Sequence, residues 1–336
     1  MASGEILLNL FKAFKENNQV EFTKVAYEVI EDEKRKNHYL LANKLEKILF
    51  NSNSATVSIN NRSNNYMNKQ LPIDKESGFP LMEMKFTKRD LDEIVLSKNN
   101  TIKIGKIIDE FNNKEILNSY NLYPKTKILF CGPPGTGKTI TAEAISSILG
   151  IPMLYTRFDS IISSFLGETA TNLRKVFDFS NEGEWVLFFD EFDSIAKSRD
   201  DSSEHGELKR VVNSFLQLMD SYSKNKIIIA ATNYEKLIDK ALWRRFDEII
   251  FFDNPNKDEI EKIVNKIFAK YHKKNLNLDM YIDMLIGFSF ADIERICKNS
   301  IKEMILNRKD EITNQLFLES IEREIERRNL VIKTMD

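Results

Sequence analysis

The sequence predicts an α/β fold: a parallel sheet with flanking helices, an all-α C-terminal lid after it and a small N-terminal helical bundle before it. Three observations predict this. Short apolar runs alternate with segments of helical spacing from about residue 76 to residue 254. After Pro255 the strand-like runs stop, and residues 257–333 keep helical spacing alone. Residues 4–50 repeat their apolar positions at three and four residues. The 336 residues suffice for two or three domains, and 42% apolar with 30% charged residues predicts a sizeable core under a soluble surface.

The first element is residues 1–50, read as a helical adaptor domain. Leu7, Leu10, Phe11 and Phe14 mark one helix, Phe22, Val25 and Val29 a second, and Leu40, Leu41, Leu45 and Ile48 a third. Asn17-Asn18 and Lys36-Asn37-His38 separate them. A membrane-surface helix is the alternative for the first. Eight basic and eight acidic residues in this segment leave no basic face to favour anionic lipid. Residues 51–75, opening with NSNSATVSINNRSNNYMNKQ, bury too little apolar surface to offset their ordering entropy and read as a flexible linker. The large α/β domain then occupies 76–254 and the lid 255–336. Its strands are KILFC (127–131), IPMLY (151–155), WVLFFD (185–190), KIIIAAT (226–232) and EIIFF (248–252).

Charge and cysteine usage narrow the function classes. A net charge of −2 argues against a protein built to coat nucleic acid. Cys131 and Cys297 have no CxxC partner, and three histidines form no ligand cluster, so neither a metal cluster nor a disulfide framework is expected. The N-terminus lacks the basic and apolar regions of a signal peptide. No apolar run approaches the roughly 20 residues a membrane helix needs. The expectation is a cytoplasmic protein without a membrane segment.

The chemistry begins at GPPGTGKT: Gly132, Pro133, Pro134, Gly135, Thr136, Gly137, Lys138 and Thr139, with Ile140 continuing into a helix. It follows a strand, the setting that a G-x-x-x-x-G-K-[ST] phosphate loop requires. Glycines let successive N–H groups face inward, and the helix N-terminus adds positive partial charge. Lys138 can reach the β and γ phosphates of ATP, and Thr139 can ligate Mg²⁺. A chance Gly-Pro turn would not satisfy all eight positions.

The strand WVLFFD ends in Asp190-Glu191, where ligands of open α/β sheets bind. Asp190 suits Mg²⁺, and Glu191 suits polarising a water. Alone, this could be an acidic strand end facing solvent; the phosphate loop upstream favours the site. IIIAATN ends in Asn233, which could bond the γ-phosphate or the water, or simply form a turn.

GPPGTGKT, LFFDEFD, AATN and RRFD together resemble the AAA+ ATPases over roughly residues 85–310, most closely the protein-remodelling subgroup of katanin and spastin in a short bacterial-type form. The resemblance implies Lys138 and Thr139 on phosphate and Mg²⁺, Asp190 on the metal, Glu191 activating water and Asn233 sensing the γ-phosphate. It implies that Arg244 and Arg245 are fingers acting on a neighbouring subunit's ATP, an effect worth about 10³–10⁵ in rate for such arginines. Two arginines capping a helix C-terminus is the plain alternative. A finger acting on a neighbour requires a homo-oligomer, expected to be a hexamer.

In SSFLGETATNLRKVF, the resemblance places Phe165, Leu166 and Gly167 at a central pore, gripping a polypeptide, with a helix starting at Glu168. A buried loop anchor is the competing reading. Residues 196–207 would form a second pore element. GFSFADIERI (287–296) resembles the lid segment near the nucleotide, but Phe290 stands where the family usually has a small residue. Trp243 stands where an aliphatic residue is common. The N-terminal pattern faintly resembles a microtubule-interacting and trafficking domain, with a simple helical adaptor equally open. Similar short bacterial ATPases often lie beside a separately encoded protease. The function expected is ATP-driven remodelling or threading of a protein substrate. The alternative is an ATP-controlled switch or scaffold regulating a partner such as that protease. A DNA-acting member of the family is a third reading that no basic module supports.

Overall fold

The computed structural model describes residues 4–15, 22, 24–26, 28–29, 32, 70–75, 77–161, 166–193, 205–233, 243–269, 271 and 276–333. Packing divides the chain into two units, Met1–Gln70 and Leu71–Asp336. In the first, α1 (Gly4–Lys15) buries Ala13, while Phe11 and Phe14 are exposed and Phe14 leans on Phe22 with ring centroids 6.2 Å apart. The spacing had put Phe11 and Phe14 on a core face. The small Ala13 takes that place among the described side chains.

The second unit runs β1 (Glu83–Lys85), α2 (Lys98–Asn112), α3 (Lys114–Ser119), β2 (Lys127–Cys131), α4 (Lys138–Leu149), β3 (Met153–Arg157), α5 (Phe158–Ile161), α6 (Leu166–Asn181), β4 (Val186–Asp190), α7 (His205–Ser221), β5 (Ile227–Thr232) and β6 (Glu248–Phe251). Four helices close it: α8 (Lys257–Phe268), α9 (Asp279–Leu285), α10 (Phe290–Leu306) and α11 (Asn314–Lys333). The sheet order is β1-β3-β4-β5-β2-β6. Only β1 is antiparallel, pairing Glu83 with Tyr155. The α/β class and the helical C-terminus are therefore those the sequence predicts. The third strand begins two residues later than expected. Pro152, before it, has no N–H, and its carbonyl accepts from Val186 at 3.1 Å.

The central strands are apolar on both faces because both faces are covered. One face packs Ile128, Phe130, Val186, Phe188, Ile227 and Ile229 against Ile104, Ile107 and Ile108 of α2 and Ala142 and Ile145 of α4. The opposite face is aromatic. Phe189 meets Phe158, Phe177 and Phe215 at centroid distances of 6.0, 5.7 and 5.3 Å, and Phe192 meets Phe215 at 4.9 Å. The C-terminal helices have their own core, including Val264, Phe268, Leu285, Ile293, Ile296 and Phe317. Two reciprocal caps start its main helices: Asn256 with Glu259 for α8, and Ser289 with Asp292 for α10.

Polar bonds tie the beginnings of β2 and β6. Asp247 Oδ2 accepts from the N–H groups of Thr126 and Lys127 at 3.0 and 2.9 Å. Glu248 pairs with Lys125 at 2.7 Å and with Lys103 of α2 at 2.9 Å. The far ends of the same strands are thereby held in register where the site forms.

Candidate functional site

The site lies where the parallel strands end. After Cys131 the chain turns through Gly132, whose φ is +145°. A Cβ there would come within 1.9 Å of the Phe252 carbonyl oxygen, so only glycine lets β2 and β6 approach this closely. The loop curls round the Lys138 ammonium. Nζ donates to the carbonyls of Gly132 and Pro133 at 2.7 and 2.8 Å, and Thr136 Oγ1 donates to the Pro133 carbonyl at 2.8 Å. Burial pulls the Lys138 ammonium down to about 8, with the nearby Asp190 carboxylate opposing.

Helix α4 begins at Lys138, so Thr139 stands in its first turn. Its hydroxyl donates to Asp190 Oδ2, on the last residue of β4, at 3.2 Å. That oxygen also accepts from the Tyr155 hydroxyl at 3.0 Å, and Oδ1 accepts from the Glu191 N–H at 2.9 Å. Burial first, and then the Asp190 carboxylate, push the Tyr155 hydroxyl well above its ordinary range. Glu191 has φ +53°, a left-handed conformation that costs a non-glycine residue about 1–3 kcal/mol and clusters at working sites. Its carboxylate lies 3.9 Å from the Arg157 guanidinium, with both side chains about half exposed.

A hydroxyl and a carboxylate side by side are two hard oxygen donors. They fit a magnesium ion, which is held by one or two protein oxygens together with substrate phosphates. Thr139 and Asp190 could hold it.

Asn233 follows β5, and its N–H donates to Asp193 Oδ1 at 3.2 Å. Asp193 is buried and also accepts from Thr232 Oγ1 at 3.5 Å, so one carboxylate ties the segment after β4 to the end of β5. Sequence reasoning missed Asp193 and Tyr155. Asp193 is the fourth residue of DEFD, and Tyr155 read as an apolar strand residue. The first turn of α10 touches the loop directly: the Ala291 N–H donates to the Gly135 carbonyl at 3.0 Å.

The structure thus gathers Lys138, Thr139, Asp190 and Glu191, with Asn233 on the adjacent strand end. It does not bring Arg244 and Arg245 to them. These exposed residues precede β6, beside the start of β2, and Arg245 pairs with Asp220 of α7. They lie by the N-terminal ends of β2 and β6, whereas the site lies at the C-terminal ends of the parallel strands. Phe165 and residues 196–204 lie outside the described residues, as does the side chain of Leu166. The backbone of Leu166 and Gly167 belongs to α6, which begins at Leu166 and not at Glu168, so Gly167 stands in a helical turn.

Comparison with known proteins accords with this geometry. Residues 128–254 match the family described as "ATPase family associated with various cellular activities (AAA)". An uncharacterized AAA family ATPase, y4kL, of Sinorhizobium fredii is 37% identical over 98% of this chain and 97% of its own length. The chain belongs to the AAA ATPase family. The peroxisomal ATPase pex6 of Schizosaccharomyces pombe is 32% identical over 58% of this AAA ATPase, a stretch that covers 22% of pex6. No helix among the described residues is long and apolar enough to cross a membrane.

Proposed function

We propose that this AAA ATPase hydrolyses ATP with magnesium in an oligomeric ring, expected to be a hexamer, and uses the cycle to remodel or thread a protein substrate. The observation that carries the reading is the Thr139–Asp190 contact at 3.2 Å beside a loop that already wraps an ammonium. Loop N–H groups from Gly135 to Thr139 and the N-terminus of α4 receive the phosphates of ATP. Lys138 leaves its two carbonyls for the β and γ phosphates. Magnesium, held by Thr139 and Asp190, would neutralise charge on the β and γ oxygens. Glu191 orients a water in line with the γ-phosphorus and accepts its proton, while Asn233 bonds the γ-phosphate.

Arg244 and Arg245 stand exposed by the strand ends opposite their own phosphate loop, which favours action on a neighbour's ATP. The large domain is proposed at 76–254 and the lid at 255–336, meeting at Gly135–Ala291, with residues 1–50 as an adaptor on a linker. Phe165, Leu166 and Gly167 are proposed to grip the polypeptide. The resemblance to the katanin and spastin subgroup supports a protein client. The protein is proposed to act in the cytoplasm.

The test is the solution mass of Glu191→Gln with ATP and with ADP. The substitution keeps the shape and removes the base. A rise to about six subunits in ATP alone is the expected result; a monomer in both nucleotides would overturn the ring.

A further inference from the structure

Asp190 is the pivot of the proposed metal site, and its orientation is set by more than the phosphate-loop side. Its Oδ2 accepts two hydroxyls, Thr139 from α4 at 3.2 Å and Tyr155 from β3 at 3.0 Å, while Oδ1 accepts the Glu191 N–H at 2.9 Å. β3 and β4 are parallel neighbours with Tyr155 opposite Phe188 and Arg157 opposite Asp190. Tyr155 therefore shares a sheet face with Asp190, and its ring leans along the strand to reach it. That lean is fixed on both sides. The ring stacks on Phe188 at 5.7 Å and 29°, and the Lys85 ammonium of edge strand β1 lies 3.5 Å from its centroid.

We propose that Tyr155 is a positioning residue for the metal site: its hydroxyl holds the Asp190 carboxylate in the orientation that receives a divalent cation together with Thr139. A hydroxyl on an ionised carboxylate is a charge-assisted bond, and it leaves the outer lone pairs of Asp190 to the metal. Partners behind a ligating carboxylate typically change metal affinity by about 10–100-fold when removed. This rests on the reading of Asp190 as a metal ligand.

The experiment measures Mn²⁺ binding by electron paramagnetic resonance on the full chain saturated with ADP. It compares the wild type, Tyr155→Phe and Asp190→Asn, with a thermal melt of each. Tyr155→Phe keeps the stack and the Lys85 contact and removes one oxygen. The expected result is a Kd for Mn²⁺ about ten-fold higher in Tyr155→Phe, with ADP affinity in EDTA and the melting temperature unchanged. An unchanged Kd in Tyr155→Phe beside a large loss in Asp190→Asn would make Tyr155 a packing residue and overturn the proposal alone. Tighter Mn²⁺ binding in Tyr155→Phe would overturn it too, making the hydroxyl a restraint that the metal must displace. If Asp190→Asn also binds Mn²⁺ like the wild type, the reading of Asp190 fails and the proposal falls with it.

Discussion

The Ala291 N–H donates to the carbonyl of Gly135 at 3.0 Å, joining the first turn of α10 to the tip of the phosphate loop. A Cβ on Gly135 would lie 2.6 Å from Ser289 Oγ, the cap of that helix, and the φ of +77° already disfavours any side chain. Gly135→Ala is therefore expected to displace the start of α10. The predicted loss is about 1–3 kcal/mol from the backbone conformation alone. Chemical denaturation and ADP titration check it: both stability and nucleotide affinity should fall.

The aromatic face under β4 sets where Asp190 and Glu191 emerge. Phe215 is fully buried and touches Phe158, Phe177, Phe189 and Phe192. Phe215→Ala should cost about 3–5 kcal/mol, the usual range for emptying such a core position. Urea unfolding followed by fluorescence would read this as a lower midpoint.

Glu248 gives the fold an acid sensitivity. Burial works to raise its carboxyl, but bonds from Lys125 and Lys103 outweigh burial and hold it below the usual range. A depressed carboxylate stabilises fully above its unfolded value, and this contribution is lost as pH falls through the folded one. Glu248→Gln should lower stability at pH 7 by about 1 kcal/mol, a discounted figure because both lysines are partly solvated. The difference from the wild type should shrink in melts as the pH is lowered through and below the usual carboxylate range, because the contribution of the pair is lost between the unfolded and the folded values. A constant difference across pH would remove the ion pairs from the explanation.

Phe165→Ala separates the motor from its grip. Phosphate release should persist within about two-fold, because in the sequence the residue belongs neither to GPPGTGKT nor to Asp190-Glu191, while unfolding of a tagged fluorescent protein client should stop. Loss of both activities together would favour Phe165 as an internal anchor.

Much of this was legible in the residues. β2, β4 and β5 are continuous apolar runs because both their faces are covered, and β4 and β5 end in the polar residues Asp190 and Thr232 at the site. β1 was not legible: Glu83-Met84-Lys85 is three residues long and gains its hydrogen bonds only by pairing with β3. β3 was misplaced by two residues because Ile151-Pro152 extend the apolar run backwards, while Thr156-Arg157 look too polar for a strand. Those polar tips are there because the neighbouring strand ends in carboxylates. The start of α6 was misjudged because Gly167 reads as a turn, yet its backbone is helical. Asp193 and Tyr155 escaped notice because their partners lie on other strands, a relation that spacing does not encode.

The central claim is that one subunit's arginines act on the next subunit's ATP, and a mixing experiment tests it most directly. Lys138→Ala keeps the arginines and loses the phosphate site; the double variant Arg244→Ala, Arg245→Ala keeps the site and loses the arginines. The measurement is phosphate release by each alone and by an equal mixture. Each alone should be nearly inactive, and the mixture should regain a substantial fraction of wild-type rate, because some interfaces then pair an intact loop with intact arginines. A mixture as inactive as its parts, with both variants folded and assembled together, would contradict the account.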